Sequence, residues 1–446
     1  MQEAEKAWPN RWSVAATLVA ITLFAFLIRY YYVCTAVVDR PFRGDALQYL
    51  AYARNLVTHR IFSIQPPWAT PTPDSFRDPG YPAFLALILS VFDHNKAFYA
   101  AVLIAQSCLS ALTVGIYSFL ALRFFSVTAA IVVGIALALW PHLIVLSGSV
   151  LSETLLGFLI AAAVLCLTVA IDRRSIGLGC LAGATIAAAG LTNAVLAPII
   201  PLVAAVAVWR DTQRRRLWSA VLLTALLPIV LWGGRNALLS PEQGPSDRAA
   251  VNLVQGSWPE YHDAWMSAVA QHDASSIAIM RAVEAEQEQM RSNALGGLKM
   301  IASRLSAQPL RYLRWYASKP VELWGWTIGI GSGDIYVFPT QHSPLSVKGP
   351  LKVTTDIAFL LNRLVMFLAV VGLVMTFHRA SDAPPGLRIA ALIATYATLV
   401  FATLQADVRY SVPYRGIEWL LAYGAIHWIT LWSRRIPKGG KSEGPG

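Results

Sequence analysis

The chain has 446 residues, of which 56% are hydrophobic and only 14% charged, with a formal net charge of +11. Soluble domains carry about 25% charged residues, so this composition excludes an ordinary soluble globular protein. Its positive charge does not point to nucleic acid either, because the lysines and arginines sit mostly at the ends of long apolar runs, where they read as topology signals.

Apolar runs long enough to cross a hydrocarbon core of roughly 30 Å recur along the chain. In chain order they predict an all-α polytopic membrane protein of about ten transmembrane helices, near 12–34, 97–121, 126–146, 151–171, 176–190, 192–209, 217–239, 355–377, 387–405 and 411–432. The first run is too long for a cleavable signal peptide. With ten spans, Lys6 and Arg11, Arg123, Arg173 and Arg174, Arg210 to Arg216, Arg379 and Arg388, and Arg434 to Lys441 all fall on one side. The positive-inside rule makes that side the cytoplasm and puts both termini there. The apolar stretch Tyr81 to Phe92 is too short to cross easily and predicts a helix near 81–92, lying at the outer interface or buried against other spans.

Two outer segments remain, 35–96 and 240–354. The organisation expected is an N-terminal membrane core over 1–239 that carries the first outer segment, a large outer segment over 240–354, C-terminal helices over 355–432 and a cytoplasmic tail over 433–446. No repeat of fixed period is present. Cys34, Cys108, Cys166 and Cys180 all lie in apolar stretches and form no Cys-x-x-Cys pair, so neither a zinc site nor a disulfide framework is indicated.

The residues able to carry chemistry cluster on the outer side. Arg43-Gly44-Asp45 follows the first span and opens a helical pattern. Asp45 reads either as a helix N-cap, with Gln48 reaching back to the chain, or as a carboxylate base at the membrane surface. In Arg77-Asp78-Pro79-Gly80-Tyr81-Pro82 the prolines and glycine impose a turn into a helix, and Arg77 is either an interfacial anchor or a bidentate phosphate ligand. Glu153 stands at the outer start of the fourth span, where it suits the helix dipole or serves as a second acidic site. Arg363 lies inside the eighth span; an intramembrane charge defaults to a functional reading, with snorkelling to the interface as its alternative. Arg409 and Tyr410 lie in the last outer loop, and Arg235 and Asn236 end the seventh span. Trp315, Tyr316, Trp324 and Trp326 either line an acceptor groove or anchor the interface.

At these residues the chain resembles the polytopic, lipid-phosphate-sugar-dependent glycosyltransferases of the GT-C fold, whose bacterial relatives include protein O-mannosyltransferase-like and aminoarabinose-transferase-like enzymes. The order of features carries the resemblance: Asp45 in the first outer loop, then Arg77 to Pro82, Pro141, Leu151-Ser152-Glu153, Arg235-Asn236 and Arg409-Tyr410. The resemblance implies an inverting transfer of a hexosyl or pentosyl unit from a polyprenyl-phosphate donor to an acceptor hydroxyl on a lipid, glycan or protein. The site would face the periplasmic side of a bacterial inner membrane. It implies Asp45 as the base and Glu153 as the residue that orients the acceptor or helps hold a divalent cation, Mg or Mn. Arg43, Arg77, Arg363, Arg409 and Tyr410 would hold the donor phosphate, and Arg235, Trp324 and Trp326 would face the acceptor. No Asp-x-Asp or Asp-Glu pair occurs near Asp45, so the sequence supplies no metal motif of the kind some relatives carry. A transporter or flippase of a lipid-linked anionic solute, or a lipid-linked glycan polymerase or ligase, would also need outward cations; a transporter further predicts paired broken helices.

Overall fold

The structure, a computed structural model, describes residues 11–92, 95–239, 245–271, 273–379 and 382–435. The long apolar α1 (Arg11–Thr35) leads into a two-residue strand, β1 (Val37–Val38), and then into α2 (Asp45–His59) and α3 (Gly80–Leu89) of the first outer segment. The bundle continues with α4 (Asn95–Phe124), α5 (Val127–Leu139), α6 (Pro141–Ser147), α7 (Glu153–Arg173), α8 (Ile176–Thr192), α9 (Ile199–Arg210) and α10 (Arg215–Ala237). The second outer segment folds as α11 (Pro245–Gly256), α12 (Tyr261–Gln271), α13 (Ala274–Ser292), α14 (Ala294–Ala307), α15 (Pro309–Leu323) and β2 (Thr340–Gln341). Then come α16 (Pro350–His378), α17 (Pro385–Thr403), the short α18 (Val408–Ser411) and α19 (Arg415–Arg435).

Among the described residues six helices, α1, α4, α7, α10, α16 and α17, are long and apolar enough to cross a membrane, and α5 with α6 makes a seventh if that bent pair is one span. The protein is a multi-pass membrane protein. The remaining runs expected to cross fall short of that length and apolarity among the described residues. The 17-residue α8 and the 12-residue α9 are short for a 30 Å core, and α19 begins with Arg415 and Glu418 in its first turn. The short apolar helix expected near 81–92 is α3, buried through Tyr81, Pro82 and Leu85.

The break between α5 and α6 bends the chain by 54°. Its cause is local: Pro141 has no N–H to return to the carbonyl of Leu137. The guanidinium of Arg29, fully buried in α1, takes over. It donates to the carbonyls of Leu137 at 3.2 Å and Ala138 at 3.0 Å, and its Nε donates to Ser110 Oγ at 2.6 Å. An intramembrane arginine thus serves the backbone of a broken helix.

The segments expected on the outer side are tied to each other and to the bundle by specific contacts. β1 pairs antiparallel with β2, Val37 opposite Gln341. Buried Lys319 of α15 donates to the carbonyls of Gly256 at 2.8 Å and Leu404 at 2.6 Å, which joins the C-terminal ends of α11 and α17. Burial pulls its pKa down to about 8. Val254, Tyr261, Val283, Met290 and Ile301 form a separate small core within the second segment.

Close helix packing in the bundle rests on glycine. A Cβ on Gly372 of α16 would lie 1.9 Å from the carbonyl oxygen of Leu421 in α19, whereas a Cβ on Gly234 of α10 would meet nothing within 4 Å. Gly372→Val should therefore lower the thermal unfolding midpoint, with an overpacking cost of at least about 2 kcal/mol. Gly234→Ala should leave the midpoint unchanged or raise it slightly, since alanine is the better helix former. Thermal melts of the detergent-solubilised variants check both.

Candidate active site

Four side chains from four separate parts of the chain meet at the end of the long apolar α7, which Glu153 begins. α2 starts at Asp45 because Gly44 turns the chain at φ 53° and ψ −126°, in the left-handed region that glycine tolerates. The Asp45 side chain does not cap the helix. Its two oxygens go instead to two arginines: Oδ1 accepts from Arg77 Nη2 at 2.6 Å and Oδ2 from Arg409 Nη2 at 2.7 Å. Gln48, one turn further along α2, accepts from Arg77 Nε at 2.7 Å rather than reaching back to the chain. The Arg77 guanidinium also lies over the Tyr49 ring, 5.3 Å from its centroid.

Arg409 carries the chain of contacts onward. Its Nε pairs with Glu153 Oε1 at 2.8 Å, so one guanidinium joins both carboxylates. Arg409 is held at the start of α18 by Asp407, which caps that helix: Oδ1 accepts from the Arg409 N–H at 2.8 Å and Oδ2 from the Ile330 N–H at 2.8 Å. Asp45 is the most open of the four, with 27% of its side chain exposed against 13% for Arg77, 17% for Arg409 and 7% for Glu153. Among the described residues Glu153 Oε2 has no hydrogen-bond partner. Glu153 also lines a small cavity of about 20 Å³, enough for one water.

The turn that bears Arg77 is fixed from both sides. Asp78 accepts from Arg248 of α11 at 2.8 Å and from the N–H of Ala194, beyond α8, at 3.1 Å. Gly80 lies so close to α8 that a Cβ would be 2.3 Å from Thr192 Oγ1. Tyr81 donates to Gln106 Oε1 at 2.7 Å, and the Gln106 amide donates to the carbonyls of Ser147 and Ser149 at 3.1 and 2.8 Å. That buried relay sets the turn between α6 and α7, where Glu153 begins. Gln106 went unread in the sequence; its signal was a lone amide inside an apolar run.

Electrostatics makes Asp45 a fixed anion. Burial alone would raise the pKa of its carboxyl, but the Arg77 and Arg409 guanidiniums outweigh that and hold it well below the usual carboxylate range. The pKa values of Arg77 and Arg409 are raised: burial works against their charge, yet the carboxylates facing them prevail. With each carboxylate already bonded to arginine, the donor set suits an anion arriving at the arginines rather than a divalent cation. Among the described residues no three His, Cys, Asp or Glu side chains are grouped to hold a metal ion. The residues present therefore do not fit the Mg or Mn that the sequence left open.

Tyr410 borders this centre, with the Arg409 guanidinium over its ring at 5.3 Å from the centroid, and the other candidates lie apart from it. Arg363 is on the exposed face of α16, one position round from buried Asn362, and is not brought to the carboxylates. The arginine buried nearby is Arg415, which pairs with Glu418 at 2.8 Å and donates to the Gly325 carbonyl at 2.8 Å. Arg235 bonds the carbonyls of Asp74 and Phe62 and braces the first outer segment. Arg43 lies over the Phe338 ring, 4.7 Å from its centroid. Tyr410 stacks on Phe401, with ring centroids 5.1 Å apart. Trp324 Nε1 donates to Thr398 Oγ1 at 3.0 Å, and Trp326 packs edge-on against His142 at 4.8 Å.

No protein-family model matches the sequence, and no curated protein matches it. Solved structures do. An oligosaccharyltransferase from Archaeoglobus fulgidus, in its apo form, superposes with a TM-score of 0.52 over 96% of this chain at 15% identity. The chain has the GT-C fold. It spans about half, 52%, of the length of that oligosaccharyltransferase. The same enzyme tethered to an acceptor peptide containing the NVT sequon gives a TM-score of 0.52 at 14% identity, covering 96% of this chain and 51% of that one. ArnT from Cupriavidus metallidurans bound to undecaprenyl phosphate covers 94% of this chain and 79% of its own, at 14% identity and a TM-score of 0.38.

The shared guanidinium makes the centre cooperative. A lysine at 409 offers a compact charge in place of a planar fork and cannot reproduce the separate Nη2 and Nε contacts to the two carboxylates. Arg409→Lys should lower the unfolding midpoint. Asp45→Asn should then cost less in the Arg409→Lys background than in the wild type, by about 0.5–3 kcal/mol of coupling. A double-mutant cycle on denaturation midpoints measures it; strictly additive costs would contradict the shared contact.

Proposed function

We propose that the protein is an inverting glycosyltransferase that moves a sugar from a polyprenyl-phosphate donor to an acceptor hydroxyl at the outer face of the membrane. The observation that carries this reading is Asp45, clamped between Arg77 and Arg409 and linked through Arg409 to Glu153, at the outer ends of apolar helices. The solved structure that supports it is named for saccharide transfer.

The chemistry needs an anion site for a departing phosphate and a carboxylate near an attacking hydroxyl. Arginine forks match phosphate oxygens in a bidentate way. A donor phosphate entering the centre competes with Asp45 for Arg77 and Arg409. As the guanidiniums turn to the phosphate, Asp45 loses the partners that depress its basicity and becomes able to accept a proton. The acceptor oxygen attacks the anomeric carbon, and its proton goes to Asp45. The bond from that carbon to the phosphate oxygen breaks, its electron pair leaves with the lipid phosphate, and the configuration at the anomeric carbon inverts. The two arginines stabilise the charge that develops on the leaving phosphate. Glu153 keeps Arg409 in place and orients the acceptor side of the centre.

A transporter built on paired broken helices finds less support. Among the described residues one bent pair, α5 with α6, meets that description, and the buried arginine beside it is bonded to helix carbonyls and to Ser110.

Reconstituted protein given a radiolabelled short-chain polyprenyl-phosphate sugar should release labelled glycoside. Asp45→Asn should transfer about 10²–10⁴-fold more slowly while still binding donor, since it keeps both arginines. Wild-type rates in Asp45→Asn, or movement of the lipid-linked sugar across the bilayer without transfer, would contradict the proposal.

A further inference from the structure

Between the second outer segment and the last outer loop lies a cavity of about 380 Å³, within the range of small-molecule sites. Its walls include His262, Asp263, Trp315, Glu322, Trp326 and Asp407. Asp263 and Glu322 are exposed, so it opens outward. Asp407 is the residue that fixes the Arg409 backbone, so this cavity and the carboxylate centre share one short strap of chain.

The groups on the wall define what fits. The indole N–H of Trp315 is committed to the Gly256 carbonyl and that of Trp326 to Asp334. The two rings therefore offer apolar surface rather than donors. Asp407 accepts two backbone N–H groups, and Glu322 accepts one bond, from Ser318. Asp263 has no hydrogen bond or ion pair among the described residues. Ionised carboxylates only accept hydrogen bonds, so an occupant must supply donors. Three of them also repel a phosphorylated or carboxylated occupant. A molecule with an apolar C–H face for the indoles and a rim of hydroxyl donors for the carboxylates meets both demands.

We infer that this cavity is the acceptor subsite and that it takes an uncharged saccharide, whose attacking hydroxyl is presented past Asp407 to the carboxylate centre. The word acceptor rests on the glycosyl-transfer reading; the saccharide chemistry rests on the cavity itself.

Saturation-transfer NMR on the full chain in detergent tests this, with methyl α-D-glucoside, mannoside and galactoside as probes. Glucose 6-phosphate and a threonine-containing peptide serve as comparators. At least one methyl glycoside should bind, with transfer strongest to the C–H protons of one ring face. Glucose 6-phosphate should bind at least tenfold more weakly. The pair of substitutions Asp263→Asn and Glu322→Gln, both at exposed positions, should weaken glycoside binding about tenfold, while thermal melts remain unchanged. No binding by any glycoside, preferential binding of the peptide or the phosphorylated sugar, or unchanged affinity in the double variant overturns the inference. The assay needs no donor, so the two readings fail separately. Donor-dependent transfer without glycoside binding removes the saccharide subsite alone. Glycoside binding in a protein that consumes no polyprenyl-phosphate sugar removes the acceptor role together with the glycosyl-transfer reading.

Discussion

The guanidinium of Arg409 bonds Asp45 through Nη2 and Glu153 through Nε, and each of those carboxylates begins a different helix. Two anions brought this close would repel each other if no cation lay between them. Much of the outer architecture serves that placement. Asp407 caps α18 so that Arg409 points inward, the Tyr81–Gln106 relay sets the turn before Glu153, and Gly44 lets α2 begin at Asp45. Asp78 pins the turn carrying Arg77 to both α11 and the end of α8. The two outer segments and the bundle thus meet at a charge cluster as well as at an apolar core.

That cluster is poised for exchange. As it stands, Asp45 is too strongly stabilised as an anion to be an effective base. An anion that competes for the arginines changes both partners at once: it gains two cations, and it raises the basicity of the carboxylate it displaces. On the proposed reading, binding of a lipid phosphate and activation of the base are one event. The neighbouring cavity has the opposite character, lined by carboxylates and indoles without an arginine or lysine.

The sequence made the centre legible because its members sit at chain punctuation. Asp45 follows Arg43-Gly44 just after an apolar run, Arg77 precedes Pro-Gly-Tyr-Pro, Glu153 opens a span and Arg409 lies in the last outer loop. All four converge. What could not be read was partnership. Asp45 read as a helix cap or a base, and only the fold shows both of its oxygens taken by arginines remote in sequence. Arg363 drew attention as a charge within an apolar run, yet helical phase turns it to the exposed face of α16, while Arg29 and Arg415 are the buried ones. Of the ten spans read from hydropathy, six or seven are helices long and apolar enough to cross among the described residues. α8 and α9 are apolar but shorter than the other bundle helices, and hydropathy cannot distinguish a helix wedged against neighbours from one in lipid.

The most direct measurement is a structure of the full chain with a short-chain polyprenyl phosphate bound, determined by electron cryo-microscopy. The account predicts phosphate oxygens within hydrogen-bonding distance of Arg77 and Arg409, with Asp45 released from at least one of them and turned toward the acceptor cavity. A phosphate bound elsewhere, with both arginines still clamped on Asp45, would contradict it.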